Sequence, residues 1–110
     1  MEFGIWNLEF DFVIIGSGIG GLVSGIILAK EGRSVCILEK NHHAGGNLQA
    51  FVRDGHKFST GLHYIGSMEE GQTLHRFFKY LGILPDLKLK QLDKDGFDRI
   101  TFGEEETEYS

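Results

Sequence analysis

The sequence predicts an α/β fold, and three observations carry that prediction. Phe12, Val13, Ile14 and Ile15 form a short apolar run without alternation, as a strand covered on both faces would. Gly16, Gly18 and Gly21 follow at G-x-G-x-x-G spacing and open a helical stretch. Val35, Cys36, Ile37 and Leu38 make a second run of the same buried kind, which ends at the acidic Glu39. Strand, glycine turn, helix, strand and terminal acid, in that order, describe a Rossmann-like βαβ unit that binds a dinucleotide.

Each part of that unit has a physical task. Gly16 permits a tight turn off the strand, Gly18 lets a diphosphate approach the backbone, and Gly21 lets the helix pack close to the strand. The helix N-terminus then presents free N–H groups and partial positive charge to the phosphates. The helix is predicted from about Gly20 to Glu31. Leu22, Ile26 and Ala29 lie on one face and Val23, Ile27 and Leu28 widen it, so the helix is expected to be largely buried. Gly32 is placed to cap its C-terminus. A carboxylate at Glu39 can accept the hydroxyl hydrogens of an adenosine ribose and would repel a 2′-phosphate. A glycine triplet alone also arises from packing, and an acid at a strand end is often merely solvated. The coupled order of elements favours the nucleotide site.

Composition narrows the function classes. The 110 residues are 41% hydrophobic and 25% charged, a globular balance for one domain at most. A net charge of −5 disfavours nucleic acid as a partner. Cys36 is the single cysteine and falls in a predicted buried strand, so it reads as core rather than nucleophile. No run reaches the roughly 18 apolar residues of a membrane span, and the N-terminus lacks a signal-peptide pattern. A cytoplasmic setting is the expectation. Only two parallel strands are visible, whereas a dinucleotide fold needs several with helices on both faces. Either another chain completes the sheet, or residues 1–110 are the N-terminal part of a longer Rossmann-like, dinucleotide-binding protein. The second is expected.

The remaining segments read as additions to the βαβ unit. Trp6, Leu8 and Phe10 alternate with polar residues, as in a lead-in strand or arm, and Phe10 to Ile15 could be one strand. After Glu39 comes KNHHAGG, in which Gly45 and Gly46 let backbone approach something bulky or simply turn the chain. His42 and His43 lack partners at metal-site spacing, so a solvated loop is expected and no metal. Asp54-Gly55 between Gln49–Arg53 and His56–Ser59 signals a β-hairpin. Gly61 to Gly66 then forms a loop around His63 and Tyr64; His63 either donates to a cofactor or holds the loop. Ser67 with Glu70 fits a capping box for a helix carrying Leu74, Phe77, Phe78 and Leu81 and ending at Gly82. Residues 87–102 are predicted as a second hairpin with its turn at Asp93–Gly96, and Glu104–Glu106 as a charged turn leading into a further strand.

With these residues laid out, the sequence resembles the phytoene desaturase, carotenoid isomerase and retinol saturase group of flavoproteins. DFVIIGSGIGGLVSGIILAKEGRSVCILEK, AGG, and GHKFSTGLHYIG followed by MEEG carry the likeness, which is good over residues 11–71 and loose over 72–110. The Glu39 to Gly45-Gly46 extension is more specific than the glycine turn and, in this group, accompanies FAD rather than NAD. The resemblance implies that Gly16, Ser17, Gly18, Ile19, Gly20 and Gly21 line the FAD diphosphate. It implies that Glu39 binds the adenosine ribose with Lys40 beside it, and that Gly45, Gly46 and Asn47 pass the phosphate and ribityl region. Gly61, Leu62 and His63 would approach the flavin end. Asn47 stands where many relatives carry arginine, and Ser59 where relatives often carry aspartate.

Such enzymes act on conjugated carbon–carbon double bonds of apolar isoprenoids, so an apolar small-molecule substrate is implied, with peripheral membrane contact through regions outside this chain. No catalytic residue is assignable within residues 1–110. Two rivals stay open. One is the nucleotide-binding segment of an NAD-dependent dehydrogenase using the same turn and Glu39. The other is a segment that assembles or self-associates without catalysis when alone, because its parallel sheet is incomplete.

Overall fold

A computed structural model of the chain describes residues 8–102 and 105–109. Its first strand, β1 (Phe12–Ile15), leads into α1 (Ile19–Lys30) and then β2 (Val35–Leu38). The two strands are parallel, in the register Phe12↔Val35 to Ile15↔Leu38, and α1 crosses over one face. This is the predicted Rossmann-like βαβ unit, with strand boundaries as the apolar runs require. The strands are clasped where they start. Asp11 N–H donates to Ser34 Oγ (2.9 Å), Ser34 N–H donates to Asp11 Oδ2 (2.8 Å), and Phe12 N–H donates to Ser34 O (3.1 Å). Phe10 lies outside the strand, and the arm predicted over residues 1–10 falls mostly outside the described residues.

Helix α1 starts one residue earlier than expected, with Gly18 at its N-cap, and closes with Gly32 in the left-handed region at φ +77°. Arg33 N–H returns to Leu28 O (3.0 Å) and Gly32 N–H to Ala29 O (3.0 Å), which satisfies the last carbonyls. The expected burial of α1 is corrected. Gly25 is its one buried residue, and no apolar side chain among the described residues is buried. The reason is the missing layer. α1 covers the face of the sheet that carries Ile14 and Ile37, whose methyl ends approach Gly25. Strand alternation turns Val13, Ile15, Cys36 and Leu38 to the opposite face. Among the described residues Val13, Ile15 and Leu38 stay exposed, Ile15 at 88%, while Cys36 is half-buried.

Two antiparallel hairpins and one more helix follow. β3 (Ala50–Arg53) pairs with β4 (His56–Ser59) across Asp54-Gly55, as the Asp-Gly signal predicts. Both turn residues have positive φ (50° and 77°), the twist a two-residue hairpin turn requires. Phe51 stacks on Phe58 at 5.3 Å between ring centroids, a cross-strand pair that fixes the register. Helix α2 (Thr73–Leu81) ends at Gly82 (φ +78°) as predicted.

Its beginning is corrected. Gly71 (φ +84°) interrupts any helix started at Ser67, and Ser67 itself has φ +56°, so no capping box forms. Ser67 still serves the helix N-terminus, but by its carbonyl, which accepts from His75 N–H (3.1 Å). The second hairpin is also shifted. Residues 87–92 form no strand, whereas β5 (Asp98–Phe102) pairs with β6 (Glu105–Tyr109). Glu105 and Glu106, expected in a turn, are strand residues. Asp93 Oδ1 accepts from Asp95 N–H (3.0 Å), a local side-chain turn that satisfies the segment without cross-strand pairing.

Candidate functional site

The site gathers at the C-terminal ends of β1 and β2, where ligands bind in open parallel sheets. The chain leaves β1 through Gly16, whose φ of +98° is a left-handed value that glycine adopts without strain. Gly16 N–H donates to Leu38 O (2.7 Å), so the turn is anchored to the end of β2. A Cβ on Gly21 would lie 2.0 Å from Gly16 O; that close approach seats the helix on the turn. Above Gly18 and Gly20 there is open space, with no atom within 4 Å of a would-be Cβ on either. No side chain caps the first turn of α1. Its first N–H groups lack intrahelical partners by construction and face the space a diphosphate would fill.

Glu39 turns towards this bend. Its Oε2 accepts from Ser17 N–H (3.0 Å) and from the Ser17 hydroxyl, and its Oε1 accepts from Asn41 N–H (3.0 Å). These donors favour the charged form. The Ser17 hydroxyl, then Asn41 N–H and Ser17 N–H, lower the Glu39 carboxyl from its ordinary 4.5 to about 2, against a smaller opposing effect of desolvation. Because the folded value is lowered, the stabilising contribution is full above about 4.5 and is lost as pH falls towards 2. A carbon-13 titration of the Glu39 carboxyl is therefore expected to show a midpoint near 2, and a midpoint near 4.5 would mean the three donors are not in place.

The second glycine turn joins the first. Gly45 N–H donates to Ser17 O (3.0 Å) and to Ser17 Oγ (3.1 Å). Gly46 (φ +56°) lies so close to the first turn that a Cβ there would be 3.2 Å from Gly18 Cα. The hairpin is tied on behind. Thr60 Oγ1 lies 2.7 Å from Gln49 O and 3.1 Å from Asn47 O, and a Cβ on Gly61 would lie 3.2 Å from Asn47 O. Ser59 Oγ donates to Leu62 O (2.7 Å) and accepts from Leu62 N–H (3.3 Å), which closes the loop that begins at Gly61.

Among the residues predicted for the site, the structure therefore brings together Gly16 to Gly21, Glu39, Gly45, Gly46, Asn47 and Gly61. Lys40 is exposed beside Glu39. Leu62 and His63 line a separate open groove with Tyr64, Leu89 and Phe97. The sequence reading missed Gly25, where a Cβ would lie 2.9 Å from Ile37 Cδ1. Its spacing of one helical turn after Gly21, on the same face, is the signal that could have found it. Among the described residues no three His, Cys, Asp or Glu side chains gather as metal ligands, and no helix is long and apolar enough to cross a membrane.

A parallel βαβ unit with an open glycine turn, an uncapped helix start and a facing carboxylate defines a dinucleotide-binding Rossmann-like unit. The NAD(P)-binding Rossmann-like domain family matches residues 14–81. All-trans-retinol 13,14-reductase of Homo sapiens is 47% identical over 85 residues, which is 77% of this chain and 13% of that protein. The chloroplastic prolycopene isomerase 2 of an Oncidium hybrid cultivar is 49% identical over 53 residues, 48% of this chain and 9% of its own length. The crystal structure of the PF1083 protein from Pyrococcus furiosus superposes with a TM-score of 0.63 at 26% identity, covering 86% of this chain and 23% of that one. The chain belongs to the NAD(P)-binding Rossmann-like domain family, and its sequence is similar to members of the phytoene desaturase, carotenoid isomerase and retinol saturase group. It spans only 13% of the human relative's length.

Proposed function

We propose that this chain is the N-terminal, FAD-binding segment of a longer flavin-dependent oxidoreductase that acts on carbon–carbon double bonds of an apolar isoprenoid or retinoid-like substrate. The observation that carries the reading is the second glycine turn packed on the first, with Gly46 against Gly18. That packing sets a second stretch of glycine backbone beside the first, which supports a cofactor longer than one turn alone would hold. The names of the relatives, a retinol reductase and a prolycopene isomerase, support an apolar polyene as the substrate class.

The residues fit such a cofactor. Open space at Gly18 and Gly20 and the uncapped start of α1 suit the diphosphate, and Glu39 suits the adenosine ribose. Lys40, Gly45, Gly46 and Asn47 would follow the cofactor outwards, with Gly61 packed against Asn47, and the groove that holds Leu62 and His63 would have to meet its flavin end. A bound flavin supplies two-electron redox chemistry; these residues hold and orient it. Catalysis belongs to the longer chain. Taken alone, the described residues bury no apolar side chain, and the uncovered face of β1 and β2 favours self-association.

The second reading is a nicotinamide dinucleotide, as the family description NAD(P)-binding allows. Cofactor release from purified full-length protein separates them. A yellow supernatant containing FAD in about one-to-one ratio to protein is expected. A colourless protein that binds NAD instead would replace this reading.

A further inference from the structure

Ser17 is the one buried polar side chain among the described residues, with 2% of its surface exposed. At that burial its side chain cannot be a ligand contact. Its hydrogen bonds instead run sideways, to the two other parts of the site. Gly45 N–H is only a donor, and the ionised Glu39 carboxylate is only an acceptor. The Ser17 hydroxyl sits between them, so its proton has one place to go, Glu39 Oε2, while its oxygen accepts from Gly45 N–H. The backbone repeats the pattern. Ser17 N–H donates to the same Oε2, and Ser17 O accepts from the same Gly45 N–H.

With Asn41 N–H on Oε1 and the Lys40 backbone also acting on the carboxylate, most of its roughly four acceptor positions are used by the chain itself. Without the hydroxyl, Oε2 would keep a single donor, and the carboxylate would lose its one side-chain tie to the Gly45 turn, leaving only backbone N–H groups to hold it.

We propose that Ser17 is a positioning residue whose hydroxyl locks Glu39 and the Gly45 turn into one unit, and so governs the adenosine half of a bound dinucleotide through Glu39 rather than by contact. The proposal rests on the nucleotide reading given above. It differs from a packing role for Ser17 in one measurable respect: its effect must pass through the carboxylate.

ADP, which carries the adenosine and diphosphate without the flavin, is the probe. Titrated into the full-length protein freed of bound cofactor, it is expected to bind the wild type. Ser17→Ala should weaken binding about tenfold and Glu39→Gln by about tenfold or more, as loss of a hydrogen bond to a charged group does. The double variant should bind no more than about twofold worse than Glu39→Gln alone, because Ser17 has then nothing left to position. Ser17→Ala that binds like wild type, or losses that multiply in the double variant, overturn the proposal. Wild type that binds no ADP fails the nucleotide reading itself and is distinct from either result. Hydrogen exchange supplies a second measurement that needs no Ser17 variant: Glu39→Gln should speed exchange of the Ser17 and Gly45 amides about tenfold, and unchanged rates would overturn the lock.

Discussion

Gly18→Val is expected to abolish dinucleotide retention in the full-length protein while leaving its fold in place. Gly18 has φ −65° and ψ 178°, an extended conformation that valine adopts readily. A Cβ at this position meets no atom within 4 Å, so the variant has little reason to unfold. The space it would occupy is the space over the first turn, where the free N–H groups of α1 point. A branched side chain there keeps a diphosphate from reaching them, and affinity should fall by about a hundredfold or more, which corresponds to about 2.7 kcal/mol. Arg33→Ala, on an exposed residue just past the C-terminal end of α1 and so at the opposite end of the helix from Gly18, serves as the control. The unfolding free energies of both variants, from denaturant titration, should stay within about 0.5 kcal/mol of wild type. Valine protein that keeps its nucleotide would mean that the diphosphate does not lie over Gly18.

What could be read from the sequence follows the range of the forces involved. β1, α1 and β2 are specified by adjacent residues: apolar runs, a glycine turn, and Gly32 at the helix end. Asp54-Gly55 defines its hairpin through two backbone angles that few other pairs adopt so easily. The site residues contributed by these elements come together because the βαβ geometry brings strand ends side by side. The misses lie where a local signal competed with a stronger one nearby. Ser67 and Glu70 have capping-box spacing, but Gly71 between them and the apolar stripe takes a left-handed angle that a helix cannot contain.

Residues 87–92 alternate imperfectly, since Gln91 and Leu92 exchange the phases set by Leu87 to Lys90. β5 finds its partner in β6 instead. Burial of α1 was overstated for a different reason. Periodicity says which face of a helix wants cover, and it cannot say whether the covering layer is part of the same chain. The role of Ser17 is invisible to any pattern, because it depends on its hydroxyl lying between Glu39 and Gly45, which are 22 and 28 residues away from it in sequence.

Gly21→Ala should destabilise the nucleotide unit by about 2 kcal/mol or more, although alanine is the better helix former. In an exposed helix interior the same change gains about 1 kcal/mol. Here the added methyl would sit 2.0 Å from Gly16 O and 3.1 Å from Gly16 C, both backbone atoms that cannot rotate aside. The turn must move or α1 must lift from the sheet, and overpacking of this kind costs about 1–3 kcal/mol before the helical gain is subtracted and the lost hydrogen bonds are added. Gly16 N–H is bonded to Leu38 O, so a shift of the turn also loosens the end of β2 beside Glu39.

Gly25→Ala makes the same chemical change one helical turn later, with a different neighbour. Its methyl would meet Ile37 Cδ1 at 2.9 Å, the far end of a side chain that can change rotamer. That variant should stay within about 1 kcal/mol of wild type, since the helical gain offsets the rearrangement. Urea denaturation of the two full-length variants measures the difference. Equal midpoints would show that α1 is not held against the first turn at Gly21, and the close approach that seats the diphosphate site would have to be abandoned.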